Sequence, residues 1–259
     1  MIAFGHNPAT LQKALDKGAA DTVTTSMEEA VKDADIVVSA VPVEAMESVF
    51  TEMAPFLKSD AVVTDVGSTR QTVIAAARKG LGDKFHQYAP AHPIAGGEMP
   101  GVDYASADLF DEKVVISTPD EGMDPKVVTF IEEAWRKAGA RVQAMSPLQH
   151  DLTFASVSHL PHVLAYALVD MIAREENAQE KLKMAGAGFR DFTRIASSSP
   201  VMWRDICLSN REALSHELKR YRASLDTLQK YIDESDGKAL ESVFENAVRN
   251  RRGLVFPGK

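Results

Sequence analysis

Two short valine-rich runs set the architecture of this chain. Asp35-Ile36-Val37-Val38-Ser39-Ala40-Val41 and Ala61-Val62-Val63-Thr64-Asp65-Val66 are continuously apolar at their centres rather than alternating. Such runs suit parallel strands buried on both faces. Pro42 stops the first, and Val43 to Leu57 then carries helical spacing. Gly67-Ser68-Thr69-Arg70 follows the second and leads into a helix from Gln71 to Arg78. Upstream, Met1 to Phe4 reads as a strand, Asn7-Pro8 as an N-cap with proline at the first helical position, and Ser26-Met27-Glu28-Glu29 as a capping box. Residues 113–118 and 141–145 read as two more strands. The helix between them opens at Asp124-Pro125, stops at Gly139 and carries Val127, Val128, Ile131 and Trp135 on its apolar face. Strand and helix alternating at this spacing predict an open parallel sheet with crossover helices. Ligands of such sheets gather outside the carboxyl ends of the strands. Ser39, Pro42, Asp65, Gly67, Ser68 and His92 all follow strand ends, so they are expected on one rim.

His92 sits in Tyr88-Ala89-Pro90-Ala91-His92-Pro93-Ile94-Ala95-Gly96-Gly97-Glu98. Prolines fix the backbone on either side of the imidazole, and the glycine pair lets a loop approach a ligand closely. Taken alone, the stretch is a tight turn with a structural histidine. At the rim of a sheet it becomes a way to present a general base to a cleft.

From Pro147 onward the pattern is helical. Asp151, Ala155, Ser158 and His162 project from one side of a helix at ~3.6 residues per turn, with a kink expected at Pro161. His150 and His159 lie on neighbouring faces, so the segment reads as a polar site; a metal site is the competing reading, ranked low for want of a ligand grouping. Gly188-Phe189-Arg190-Asp191-Phe192-Thr193-Arg194 follows. Arg190 and Asp191 can neutralise each other, which leaves the Arg194 fork for an anionic substrate. Asn210 to Asp236 forms one long helix, with Leu214, Leu218, Tyr221, Leu225, Leu228 and Ile232 as a seam that suits a core or a dimer interface. The tail from Arg249 to Lys259 is expected to fray.

The chain has 259 residues, more than the ~150 of one ordinary core, and divides into an α/β domain at 1–146 and a helical one at 147–259. A net charge of −8 argues against nucleic acid as a partner. A single cysteine, Cys207, points to a reducing compartment, so the cytoplasm is the expected location. No apolar run in the sequence reads as approaching the ~20 residues of a membrane span. No G-x-G-x-x-G turn, which cradles a dinucleotide pyrophosphate, occurs in the sequence. The first strand is followed by Gly5, His6 and Asn7, where an acid would bind the adenosine ribose. Lack of that acid weakens NAD and admits NADP.

Four segments together resemble the prephenate/arogenate dehydrogenases of tyrosine biosynthesis: Asp65-Val66-Gly67-Ser68, His92 to Glu98, His150-Asp151 with Ser158 to His162, and Gly188 to Arg194. The similarity runs over nearly the whole chain in order and spacing. It implies a Rossmann-like sheet followed by an all-α dimerisation domain, with the opening strand and Gly-rich turn either lost or outside this chain. It also implies oxidative decarboxylation of prephenate, or arogenate, with hydride passing from C4 of the ring to NAD or NADP. By motif match, His92 deprotonates the ring hydroxyl, Ser68 orients it beside the nicotinamide, and Arg194 holds a substrate carboxylate. His162 lines the pocket, and Glu98 and Asp151 tune its polarity. Trp203 matches a position that reaches the neighbouring subunit's site in a homodimer. Gly5, His6, Ser39, Val41, Pro42, Asp65 and Gly67 are the expected cofactor contacts. Two other readings stand beside this one: a β-hydroxyacid dehydrogenase, which typically carries a lysine where this chain has Ser158 to His162, and a non-catalytic dimeric module that binds an aromatic acid.

Overall fold

The computed structural model describes residues 1–97 and 101–254. The order of elements begins with β1 (Ile2–Phe4), α1 (Pro8–Asp16), β2 (Thr22–Thr24), α2 (Met27–Val31), β3 (Ile36–Ser39), α3 (Met46–Met53), β4 (Val62–Asp65) and α4 (Gln71–Leu81). It continues with β5 (Tyr88–Ala89), β6 (Ala91–Pro93), β7 (Val114–Ser117), α5 (Pro125–Lys137) and β8 (Arg141–Ala144). Helices then follow without a strand among the described residues: α6 (Pro147–Phe154), α7 (Leu160–Ala173), α8 (Ala178–Lys183), α9 (Ala187–Thr193), α10 (Pro200–Ser209), α11 (Arg211–Asp233) and α12 (Gly237–Arg252). This is a Rossmann-like α/β arrangement followed by a helical part.

Local chemistry accounts for several of the starts. Asn7 Oδ1 accepts from the N–H of Ala9 at 3.0 Å, Ser26 Oγ from Glu29 at 3.3 Å, and Asp124 Oδ1 from Lys126 at 2.8 Å. Gly18 and Gly139 take φ of +67° and +88° just past α1 and α5, conformations that cost other residues more. The start of the tail departs from expectation, because α12 runs on through Arg249 to Arg252, while 255–259 lie outside the described residues.

The strands form three sheets. β1 pairs parallel with β2, and β3–β4–β5 form a parallel sheet with Ser39 directly beside Asp65. No strand among the described residues joins β1 to β3. In the third sheet β6 runs antiparallel to β7, and β8 parallel to β7. The expected parallel pairing holds in the first two sheets, the third is mixed, and the His92 segment is a strand rather than a turn. Tyr88 to Pro93 forms one extended run: Tyr88 and Ala89 pair with β4, and Ala91 to Pro93 with β7. Pro90, which has no N–H, marks the point where the chain changes sheets.

Met46, Phe50, Met53, Val63, Val73, Ala77, Leu81 and Tyr88 form the main core between β3–β4–β5 and α3 and α4. The opposite face of β3 is open. Ile36 is 41% and Val38 53% exposed, against the expectation of burial on both faces. An apolar run buries both faces only when a layer packs on each, and here α3 and α4 cover one.

Pro147 to Ala173 is continuously helical, with a π-helical turn at Ala155–His159, one turn short of Pro161, the position of the expected kink. The wider π turn comes just before Pro161, whose missing N–H and bulky ring disturb a regular helix. By length and composition this stretch is apolar enough to cross a membrane, contrary to the expectation that no run is. The expectation failed because His150, Asp151 and His159 break the run in sequence while leaving the mean hydropathy high. These same three side chains are buried by contacts with the rest of the protein.

Candidate active site

The two halves meet at the N-terminus of α4. Arg70, immediately before it, is fully buried and donates along every branch of its guanidinium. Nη1 reaches Asp65 Oδ1 at 2.9 Å, the Gly67 carbonyl at 2.7 Å and the Ala91 carbonyl at 3.2 Å. Nη2 reaches Asp65 Oδ2 at 2.8 Å and the Tyr88 hydroxyl at 3.3 Å, and Nε reaches Thr118 Oγ1 at 3.2 Å. One buried side chain therefore ties the end of β4, the following turn, β5–β6 and the end of β7 together. The Ala91 bond anchors the residue just before His92.

From the helical half, Asp151 on α6 meets the same helix start. Its Oδ1 accepts from the Arg70 N–H at 2.8 Å and its Oδ2 from the Gln71 N–H at 2.9 Å. A carboxylate on unpaired N–H groups at a helix N-terminus is favourable by both hydrogen bonding and the helix dipole. Thr69 Oγ1 lies 2.8 Å from Ser209 Oγ, and Thr72 Oγ1 donates to the Ser209 carbonyl at 2.9 Å, so α10 is fastened there too.

His92 projects from β6 toward α6. Its Nδ1 lies 2.8 Å from His150 Nε2, and His150 Nδ1 lies 2.9 Å from Asp151 Oδ1. Phe154 stacks on the His150 ring at 4.4 Å and sits 5.0 Å from His92. Burial pushes the His92 pKa well below the usual 6.5, and His150, Arg70 and His159 push the same way. The ring is neutral at pH 7, as a base must be before it acts. Its Nε2 makes no hydrogen bond among the described residues. Ser68, half-buried in the turn after β4, likewise has no side-chain partner among them.

Further along the long helix, His159 is buried and its pKa is pushed down to about 4, chiefly by burial. Asn210 Nδ2 bonds the Asp151 carbonyl at 2.8 Å and lies 3.2 Å from His159 Nδ1. His162 Nδ1 lies 2.9 Å from the Ser158 carbonyl, and its ring stacks on Trp203 at 3.5 Å and 19°. Arg194 opens a 3-10 turn, Arg194–Ser197, which packs against α7, the helix that carries His162.

The sequence of residues 1–144 matches the nucleotide-binding domain of prephenate dehydrogenase, and residues 146–246 match its dimerization domain. The chain belongs to the prephenate dehydrogenase family. It is 38% identical to the cyclohexadienyl dehydrogenase of Zymomonas mobilis over 93% of this chain and 82% of that protein. It is 35% identical to the prephenate dehydrogenase of Bacillus subtilis over 95% of this chain and 67% of that protein. Among solved structures, the prephenate dehydrogenase of Aquifex aeolicus in complex with hydroxyphenyl propionate and NAD+ superposes with a TM-score of 0.88 at 35% identity, covering 97% of this chain and 88% of that one.

Several side chains that the family resemblance sent to ligands are spent on the fold. Asp65 has no exposed surface and binds Arg70, the Tyr88 hydroxyl and the Gly67 N–H, the last at 2.7 Å, so it is not free for a cofactor. Gly67 is needed for packing: a Cβ there would lie 2.9 Å from Asp65 Oδ1. Ser39 is buried and its hydroxyl turns to Met46 Sδ at 3.5 Å. Asp151, expected to tune the substrate pocket, is 1% exposed and holds α4 and His150. Trp203 is 8% exposed and stacks on its own chain's His162. Glu98 lies outside the described residues. Arg70 is the residue that the sequence did not single out.

A nicotinamide dinucleotide fits the remaining residues in part. Exposed His6 and half-buried Gly5 end β1 with no acid to repel a 2′-phosphate, and half-buried Val41 with exposed Pro42 forms an apolar ledge beyond β3. A Gly-rich pyrophosphate cradle is not among the 259 residues.

Proposed function

We propose that this protein oxidatively decarboxylates prephenate or arogenate, giving 4-hydroxyphenylpyruvate or tyrosine and CO2, with His92 as the general base. The observation that carries the reading is a neutral imidazole at the junction of the two halves, with Nδ1 engaged by His150 and Nε2 unengaged among the described residues.

His92 Nε2 takes the proton from the ring hydroxyl as that oxygen becomes a carbonyl-like centre on the way to a phenol. Ser68, whose hydroxyl has no side-chain partner among the described residues, orients the same oxygen. Arg194 holds a substrate carboxylate through its fork, and His162, stacked on Trp203, lines the ring. NAD or NADP, when bound, supplies the hydride acceptor for C4. The bond from C1 to the carboxylate breaks, CO2 leaves, and aromatisation supplies the driving force. The protein's task is to position, deprotonate and clamp. Gly5, His6, Val41 and Pro42 are the residues that would meet the cofactor.

Residues 1–146 serve the cofactor and the base, and 147–259 the substrate and a homodimer. Leu148, Leu152, Val157 and Met171 expose an apolar face on the long helix, which favours a partner copy there. The single cysteine favours the reducing cytoplasm.

The test is His92→Asn, assayed with prephenate and with arogenate, each with NAD+ and NADP+, by absorbance of the reduced nicotinamide. A kcat fall of roughly 10²-fold or more with native circular dichroism is expected. Undiminished turnover removes His92 from the mechanism.

A further inference from the structure

A histidine can be a base at one nitrogen only if its proton is on the other. Here the neighbours decide the matter. Asp151 lies at the end of a short chain of groups. Burial works to raise its pKa, but the His150 hydrogen bond and the N–H groups of Gln71 and Arg70 outweigh burial and hold the carboxyl below its ordinary range. It is therefore a carboxylate, an acceptor with no proton to give. His150 Nδ1, 2.9 Å from Asp151 Oδ1, must carry a proton.

His150 is itself held neutral: burial lowers its pKa and outweighs the opposing pull of Asp151. A neutral imidazole with its proton on Nδ1 has a bare lone pair on Nε2. That Nε2 is 2.8 Å from His92 Nδ1, so His92 Nδ1 is the donor. His92 is neutral too, and its lone pair is left on Nε2. Two contacts of ordinary length thus fix the positions of two protons in sequence.

We propose that Asp151 and His150 are positioning residues for the reaction: Asp151 fixes the tautomer of His150, and His150 fixes His92 with its proton on Nδ1 and its basic lone pair on Nε2. The proposal rests on His92 being the base and adds why that nitrogen is the basic one. No proton needs to pass along the chain. When His92 Nε2 takes the substrate proton, the new imidazolium already donates from Nδ1 to His150, whose far side faces the Asp151 carboxylate. Hydrogen bonds from a charged donor are the stronger kind, so this contact tightens as the proton arrives. The groups facing His92 from the packed elements are His150 and Phe154 of α6, His159 of the π turn and Arg70 before α4. Arg70 opposes a positive His92, and Asp65 binds that guanidinium bidentately.

The same geometry explains why Asp151 is so firmly held. Its two oxygens are pinned by backbone N–H groups at the start of α4, so its direction does not depend on a rotatable side chain elsewhere. Phe154, stacked on His150, keeps that ring from turning over.

The experiment is nitrogen NMR of the wild-type protein with ¹⁵N-labelled histidine, alongside kinetics of His150→Gln and His150→Leu. His92 is expected to show a pyrrole-type Nδ1 and a pyridine-type Nε2 at pH 7. His150→Leu removes the acceptor, and should lose the single tautomer and lower kcat about 100-fold with KM changed less than threefold. His150→Gln keeps an acceptor oxygen near His92 Nδ1, and should keep the tautomer and recover most of the rate. A wild-type His92 protonated on Nε2 overturns the proposal, as does His150→Leu with wild-type kcat. Should His150→Leu not fold, the wild-type spectrum and His150→Gln still decide. If His92→Asn loses activity while the wild-type proton sits on Nε2, the tautomer chain fails alone. If His92→Asn turns over normally, the base reading fails and the proposed role goes with it.

Discussion

The Asp65 carboxylate and the Arg70 guanidinium meet fork to fork, Oδ1 to Nη1 at 2.9 Å and Oδ2 to Nη2 at 2.8 Å, with neither side chain exposed to solvent. A buried pair of this kind is no proof of stability, since desolvation offsets much of the attraction. Its use here is geometric. The donors that Asp65 does not take fix the Gly67 and Ala91 carbonyls, and with them the turn bearing Ser68 and the strand bearing His92.

Arg70→Leu leaves Asp65 buried without its partner. It should lower unfolding stability by about 3–5 kcal/mol, read from urea denaturation. Arg70→Lys should cost nearly as much, because a single ammonium cannot span both oxygens and the two carbonyls. Joint replacement of Asp65 and Arg70 by leucine should cost less than Arg70→Leu alone. An unchanged urea midpoint in Arg70→Leu would contradict the role given to the pair.

Acid should destabilise the protein well before its carboxylates titrate. His159 has a folded-state pKa of about 4 against an ordinary 6.5, and His92, His150 and His162 are also lowered. The unfolded chain therefore binds protons that the folded one refuses. Stability is fully present above about pH 6.5 and is lost as pH falls toward 4, with His159 alone contributing about 3 kcal/mol of the loss. The lowered Asp151 carboxyl adds a further loss below its unfolded pKa of ~3.9. Urea midpoints between pH 7.5 and 4.5 test this, and His159→Asn should flatten the slope. A level profile in the wild type refutes it.

Gly67→Ala tests packing around the ion pair. The added methyl would lie 2.9 Å from Asp65 Oδ1 and 3.3 Å from Val73 Cγ2, both in fully buried side chains. A loss of about 1–3 kcal/mol is expected. Activity should fall too, because the turn that displaces to make room carries Ser68.

Trp203 reports on His162. In a Trp135→Phe background the remaining indole stacks 3.5 Å from the imidazole, and a protonated imidazole quenches it more than a neutral one. Burial lowers the His162 pKa, outweighing its bond to the Ser158 carbonyl. Fluorescence should therefore rise with pH around a midpoint below 6.5, and His162→Asn should abolish the transition. A midpoint at or above 6.5 would count against the stacked, partly desolvated ring.

Much of the fold is legible locally. Asn7-Pro8, Ser26 and Asp124-Pro125 announce helix starts by a side-chain oxygen three or fewer residues from the N–H it accepts, and that information is complete within a few positions. His92 was legible from the prolines on either side of it and its place at a strand end, the family resemblance added its reaction, and the fold gave it a setting. Arg70 was not legible because its partners at Asp65, Gly67, Tyr88, Ala91 and Thr118 converge only after four strands have assembled. Asp65 and Ser39 misled for the opposite reason. A polar residue at a strand end can face the rim or turn inward, and the choice depends on whether a buried partner such as Arg70 or Met46 waits there. The open face of Ile36 and Val38 was equally hidden, since a strand's own sequence does not reveal what packs over it.

The π turn at Ala155–His159 has a consequence for everything after it. Each residue in a regular helix advances the azimuth by ~100°, so the widened turn resets the phase of α7 relative to α6. Asp151 and His150 can then look toward the strands while His162 looks toward Trp203, although all three ride one unbroken rod. A single-residue deletion between Ala155 and His159 would leave the composition almost untouched and swing His162 a quarter-turn or more off its present bearing.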